Sequence, residues 1–246
     1  MSNYRILIAG GGTGGHLFPA LAIGEEIHRR EPEAKIHYVG STFGMEARVF
    51  PVKDVWHTLL PIRGFQRGIS FQSIGRNFLL PVRIILSWLK MNSLIKDFVP
   101  QVVVGTGGYA AALPLYLASK RDKPLPIILQ EQNSIPGITT RWFAEKAKTI
   151  CVAFKEANDA INSETILTGN PVRKDITEGH REDGIKEYNF DEKSKTLFLF
   201  GGSQGSAYLN KMMDQVASNI AGAGLQILWQ TGDLEYVKYK HRDSSN

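Results

Sequence analysis

Strand, glycine-rich turn, helix: the chain opens with this succession of signals and later repeats it. Arg5-Ile6-Leu7-Ile8-Ala9 is a compact apolar run that ends in Gly10-Gly11-Gly12-Thr13-Gly14-Gly15-His16. Residues 19–30 then carry helical spacing, with Leu21, Ala22, Glu25 and Ile27 dividing into faces. Parallel strands cannot be joined by tight hairpins, so a buried strand followed by a turn and a helix is the natural start of a parallel sheet. Further strand signals lie at 36–39, 57–61, 102–104, 126–129, 149–152 and 165–167, with helix signals at 73–98, 110–120 and 138–146. The alternation predicts an α/β fold, with helices on both faces of a parallel sheet.

A polar stretch over 175–195 interrupts the rhythm and reads as a surface connection or a frayed helix. The opening pattern then returns. TLFLF at 196–200 leads into Gly201-Gly202-Ser203-Gln204-Gly205-Ser206, a helix signal over 207–220 and a strand at 225–229. Two openings predict two similar Rossmann-like domains, 1–170 and 171–246. About 50 residues follow Lys195, fewer than an ordinary α/β domain needs, so the second domain is expected to be an incomplete start.

The first loop satisfies G-x-G-x-x-G between a strand and a helix. Its glycines let backbone N–H groups approach a phosphate, and the helix adds its positive N-terminal end. A dinucleotide enzyme would place an acid near the end of the second strand to hold a ribose, whereas Val39-Gly40-Ser41 carries none. That counts against a Rossmann oxidoreductase. His16 at the helix start could donate a hydrogen bond or exchange a proton, or serve only as a cap or packing group. The second loop suits another anionic or sugar-phosphate ligand, with Ser203 as hydroxyl donor.

The formal charge of +5 fits phosphate ligands, acidic lipid headgroups or nucleic acid without choosing among them. A lone cysteine, Cys151, excludes an intramolecular disulfide, and no Cys/His spacing suggests zinc. The first residues lack a signal peptide's basic start and long apolar run, so a cytoplasmic setting is expected.

Five ordered motifs are more specific than any of these signals. GGGTGGHLFP at 10–19, GTGGY at 105–109, EQN at 131–133, GNPVR at 169–173 and GGSQG at 201–205 together resemble the MurG family of peptidoglycan N-acetylglucosaminyltransferases, glycosyltransferase family 28. The resemblance covers essentially the whole chain. It implies a GT-B fold, an N-terminal domain for the lipid acceptor and a C-terminal domain for UDP-GlcNAc. The implied reaction is inverting transfer of GlcNAc to undecaprenyl-pyrophosphoryl-MurNAc-pentapeptide, lipid I to lipid II. It also implies a peripheral location on the cytoplasmic face of the plasma membrane, with other cell-wall synthesis proteins as possible partners.

By matched position, Thr13, Gly14 and Gly15 belong to a substrate-binding loop. Asn133, Arg173 and Ser203 match donor-binding positions, and His16, Tyr109 and Glu131 match polar residues facing the cleft. Gln130 stands where many relatives carry histidine, which argues against a catalytic role there. The family's later donor segment and final helix should follow Asn246. No cofactor, metal or nucleic-acid partner is expected.

Inversion requires one base on the acceptor side and positive groups at the departing diphosphate. His16 and Glu131 are the candidate bases. His16 is favoured because imidazole titrates nearer neutral pH, although a helix N-terminus disfavours its cation and would suit diphosphate binding instead. Arg173 is the candidate cation for the UDP phosphates, and Tyr109 either orients sugar or packs.

Residues 73–96 combine Ile74, Phe78, Leu79, Val82, Ile85, Leu86, Trp88 and Leu89 with Arg76, Arg83 and Lys90 at seven-residue spacing. Charges break the run too often for a membrane span. It reads as a basic amphipathic helix at an anionic membrane surface, or as a core helix with a solvated stripe. A third functional reading is a non-catalytic acceptor- or membrane-binding fragment that needs a partner chain. On either account the 246-residue chain alone is expected to have little transferase activity.

Overall fold

The computed structural model describes residues 4–64, 79–202 and 205–243. The chain forms two compact units, Met1–Thr177 and Glu178–Asn246. In the first, seven parallel strands lie in the order β3-β2-β1-β4-β5-β6-β7. They are β1 (Arg5–Gly10), β2 (Lys35–Ser41), β3 (His57–Leu60), β4 (Val102–Gly107), β5 (Ile127–Glu131), β6 (Thr149–Val152) and β7 (Ile166–Leu167). The connecting helices are α1 (Gly14–Arg30), α2 (Glu46–Val52), α3 (Leu80–Phe98), α4 (Tyr109–Ser119) and α5 (Ile138–Phe143), with α6 (Lys174–Thr177) closing the unit.

The period-two alternation of β1 divides the core. Ile6 and Ile8 face α1 and pack with Leu17, Ala20, Leu21 and Phe50. Leu7 and Ala9 face the opposite layer, where Met91 and Ile95 of α3 and Leu115 of α4 close over the sheet. The central strands are apolar on both sides because helices cover both faces.

Helix α3 differs from the expected segment in two ways. It begins at Leu80, with Pro81 in its first turn, a position where the missing N–H costs nothing. Residues 73–78, including Arg76, fall outside the described residues. Its polar and apolar sides are also exchanged over the first half. Val82, Ile85, Leu86, Trp88 and Leu89 are exposed. Arg83 instead rests on the Phe43 ring, and Lys90 donates to the Leu59 carbonyl at 2.9 Å.

The second unit contains α7 (Arg181–Glu187), β8 (Thr196–Phe200), α8 (Ala207–Gly222), β9 (Gln226–Gln230) and α9 (Asp233–Tyr239). β8 and β9 pair in parallel across the α8 crossover. Buried Asn210 joins the helix to the strand end, donating to the Thr231 carbonyl at 2.8 Å and accepting from Trp229 Nε1 at 2.9 Å. Within the polar stretch 175–195, α7 is short, Ile185 is its one large apolar residue, and none of its residues is buried.

Candidate functional site

Strand order reverses between β1 and β4, so their outgoing connections leave toward opposite faces and open a crevice at the C-terminal edge of the sheet. Two glycine loops meet there. Gly108 has φ +76°, and a Cβ on it would collide with the Gly11 carbonyl. Glycine therefore lets the loop after β4 lie backbone-to-backbone on the loop after β1. The β1–β4 register slips between Ala9 and Gly10, where the loops begin to interlock.

His16 sits in the first turn of α1 and is partly exposed. Its Nδ1 lies 3.0 Å from the Thr106 carbonyl and 2.9 Å from Gln132 Oε1. The Gln132 amide is oriented by carbonyls: its Nε2 donates to Thr106 O at 2.8 Å and to Gln130 O at 3.0 Å, with Gln130 Oε1 also close. Gln132 Oε1 must then face the imidazole. Both groups opposite Nδ1 are acceptors, so Nδ1 carries a proton, and in the neutral ring Nε2 holds the lone pair. Thus β4, β5 and α1 jointly select one tautomer.

Glu131, at the end of β5, is buried and accepts four hydrogen bonds. They come from Asn133 N at 3.1 Å, Asn133 Nδ2 at 2.9 Å, Gly137 N at 3.0 Å and Thr140 Oγ1 at 2.6 Å. Its carboxylate organises the 132–140 turn and holds exposed Asn133. Buried Gln130 donates to Asn170 Oδ1 at 3.4 Å, while Asn170 Nδ2 donates to Gln132 O at 3.3 Å, tying the GNP segment to β5.

The Tyr109 ring lies against Gly12, whose φ is +93° and whose added Cβ would come within 2.7 Å of that ring. The phenol donates to Ser41 Oγ at 3.4 Å, and burial pushes its pKa upward. It remains a neutral hydroxyl. Thr13 caps α1 through its backbone only, and the first turn contains no acidic residue, so the helix start at Gly14 and Gly15 keeps its positive character. The Arg173 guanidinium lies 4.3 Å from the centroid of Phe18, one turn along α1 from the loop. The crevice edge therefore gathers Thr13, Gly14, Gly15, His16, Tyr109, Glu131, Asn133 and Arg173 in one unit. Ser203 lies outside the described residues.

Two residues of this site escape sequence reasoning. One is Gln132, whose part depends on which neighbour its amide meets. The other is Glu46, fully buried in the first turn of α2. It accepts from Ser41 N at 2.8 Å and from Gly12 N at 3.0 and 3.1 Å. The acid missing from the end of β2 is thus present five residues later, turned inward as a brace. It occupies the Gly12 amide, which leaves the opening of α1 as the anion-friendly part of the first loop.

Comparison with known proteins bears on the family and the fold. Residues 6–152 match the glycosyltransferase family 28 N-terminal domain. The chain is 36% identical over 249 residues to a UDP-N-acetylglucosamine–N-acetylmuramyl-(pentapeptide) pyrophosphoryl-undecaprenol N-acetylglucosamine transferase of Christiangramia forsetii. It is 37% identical over 243 residues to the transferase of the same name from Flavobacterium psychrophilum. Each alignment covers 98% of this chain and 65% of the relative, so the chain spans less than two thirds of these relatives' length. Among solved structures, Acinetobacter baumannii MurG superposes with a TM-score of 0.64 at 21% identity, over 97% of this chain and 61% of that one. Staphylococcus aureus MnaA, determined with UDP, gives 0.60 at 11% identity, over 100% of this chain and 68% of that one. These likenesses place the fold in the α/β GT-B class.

Proposed function

The chain belongs to glycosyltransferase family 28, and on that premise we propose that it serves inverting transfer of GlcNAc from UDP-GlcNAc to the MurNAc of undecaprenyl-pyrophosphoryl-MurNAc-pentapeptide. Residues 1–170 take the lipid-linked acceptor and residues 171–246 belong to the UDP-GlcNAc side. The reading is supported by the relatives' shared name and by the two acceptors that face His16 Nδ1.

His16 is the base. Its Nε2 lone pair, left open by the hydrogen bonds at Nδ1, takes the proton of the acceptor hydroxyl as that oxygen attacks the anomeric carbon and UDP departs. Thr106 O and Gln132 Oε1 then stabilise the imidazolium. Glu131 braces the turn that carries Asn133, since its oxygens already accept four donors. Arg173 and the start of α1 meet phosphate charge, while the neutral Tyr109 hydroxyl orients sugar. The exposed apolar side of α3 rests on the cytoplasmic face of the plasma membrane, where the acceptor resides. Among the described residues no helix is long and apolar enough to cross a membrane, which suits peripheral attachment.

The observation that carries the reading is the pair of acceptors, Thr106 O and Gln132 Oε1, that face His16 Nδ1. Its test is transfer of labelled GlcNAc by this chain fused to the part of the C. forsetii relative beyond the matched region. His16→Ala is expected to lower kcat by about 10²–10⁴-fold, the range of a lost general base, with acceptor binding little changed. Near-normal turnover would remove His16 as the base.

A further inference from the structure

At the N-terminal edge of the first sheet, the edge away from the crevice, a cavity of about 220 Å³ is lined by Arg5, Lys35, Trp56, Leu94, Asp97 and Phe98. Arg5 and Lys35 open β1 and β2 and are partners in the parallel register, so both side chains leave the same face of the sheet. Neighbouring strands lie about 4.8 Å apart, which brings the two cations within reach of one acid group. The Arg5 Nε–H donates to the Val99 carbonyl at 2.7 Å, fixing the guanidinium at the end of α3. Among the described residues, no hydrogen bond or ion pair engages its terminal nitrogens or the Lys35 ammonium. Asp97 is the one acid on the wall, and its carboxylate accepts from Ser93 Oγ at 3.0 Å. Two positive charges against one negative leave a balance that suits a monoanion.

Two of the remaining walls are aromatic and hold each other in place. Trp56 and Phe98 meet edge to face, with ring centroids 5.2 Å apart and an interplanar angle of 88°. Both also contact buried His37, which follows Lys35 by two residues and so shares its face of β2. Trp56 is 57% exposed, which leaves indole surface for a flat partner to stack on. Beside these rings, His37 Nδ1 is buried without a partner, a costly arrangement for a polar atom. Plain packing accounts for neither this nitrogen nor the two uncompensated cations.

We propose that this cavity binds a compact aromatic monoanion, its ring stacked on Trp56 and its acid group held by Arg5 and Lys35. At about 220 Å³ the cavity is smaller than ordinary drug-sized pockets, which limits the ligand to roughly one or two fused rings. The site lies at the opposite edge of the sheet from His16, so it is separate from the transfer chemistry and does not depend on that reading.

The test is titration of the histidine-labelled 246-residue chain with indole-3-acetate near neutral pH, followed by calorimetry and by long-range ¹H–¹⁵N spectra. His16→Ala and His37→Phe assign the two signals. Indole-3-acetamide, which keeps the ring without the charge, and acetate, which keeps the charge without the ring, serve as separate probes. Indole-3-acetate is expected to saturate with a Kd of about 1 mM or tighter, ordinary for a ligand of roughly a dozen heavy atoms. It should shift the His37 nitrogens and leave those of His16 in place. Each of the other probes should bind roughly tenfold more weakly or worse. Lys35→Gln, a change at an exposed side chain, should weaken indole-3-acetate binding about five- to tenfold, and Trp56→Leu about tenfold. Absence of saturation by about 10 mM would overturn the proposal. So would equal affinity for indole-3-acetamide, or wild-type affinity in Lys35→Gln. A shift confined to His16 would overturn it as well, by putting the ligand in the crevice.

Discussion

His37 and Glu46 show how far a single buried side chain can depart from its sequence appearance. His37, on β2, is 3% exposed, with ring centroids 4.7 Å from Trp56 and 5.5 Å from Phe98. Its Nε2 pairs with Thr58 Oγ1 at 2.8 Å, while Nδ1 is buried without a partner. Burial, with a smaller contribution from nearby His57, pushes its pKa down to about 4. The unfolded chain binds this proton near pH 6.5, and the folded one does not until about pH 4. The stabilisation is therefore complete above pH 6.5 and is lost as pH falls toward 4, by roughly 3 kcal/mol in total. Denaturant unfolding across this window should show that loss, and His37→Phe should remove most of the slope. An unchanged slope would refute the assignment. None of this is visible in the string I-H-Y-V, because it depends on aromatic neighbours brought from the residue before β3 and from the end of α3. Glu46 was equally opaque: an acid beside Met45 and Ala47 says nothing of the Gly12 amide it reaches.

At the scale of elements, much was readable. All seven strands of the first sheet follow from short apolar runs, and the two strand-glycine-helix openings appear at β1–α1 and β8–α8. These signals are local, which is why they survive without tertiary knowledge. Helix α2 was missed because Pro51 and seven residues of mixed character carry no periodic face. For α3 the composition was readable but its orientation was not. The seven-residue basic stripe suggests a solvated or headgroup face, yet Arg83 and Lys90 turn toward Phe43 and the β3 edge while the apolar residues turn outward. The end of α3 carries a measurable strain. Val99 has φ +48° in its left-handed C-cap, a conformation costly for a β-branched residue, and it is 54% exposed. Val99→Gly should stabilise the chain by about 1 kcal/mol, read as a raised melting temperature. A fall in melting temperature would show that Val99 packing outweighs its backbone cost.

Across the whole molecule, charge and apolar exposure concentrate on the same side of the sequence. Residues 53–97 hold seven Lys or Arg against two Asp or Glu, and they include the exposed apolar turns of α3. Composition alone left lipid, nucleic acid and phosphate equally open. The five ordered motifs narrowed the choice, and His16, Tyr109 and Glu131 lie on neighbouring loops at one sheet edge. What the motifs could not convey is which residues act and which brace. Glu131 appears in a motif as a candidate base and is saturated by four donors, whereas Gln132 beside it controls an imidazole. The long reach of that control spans the fold, since α1 supplies the ring, β4 a carbonyl and the end of β5 an amide. If the sheet assembles as described, the tautomer of His16 follows. A long-range ¹H–¹⁵N correlation spectrum of histidine-labelled chain near neutral pH, with His16→Ala to assign the signal, measures it directly. The account predicts a proton on Nδ1 and a bare Nε2; a proton on Nε2 with a bare Nδ1 would contradict it.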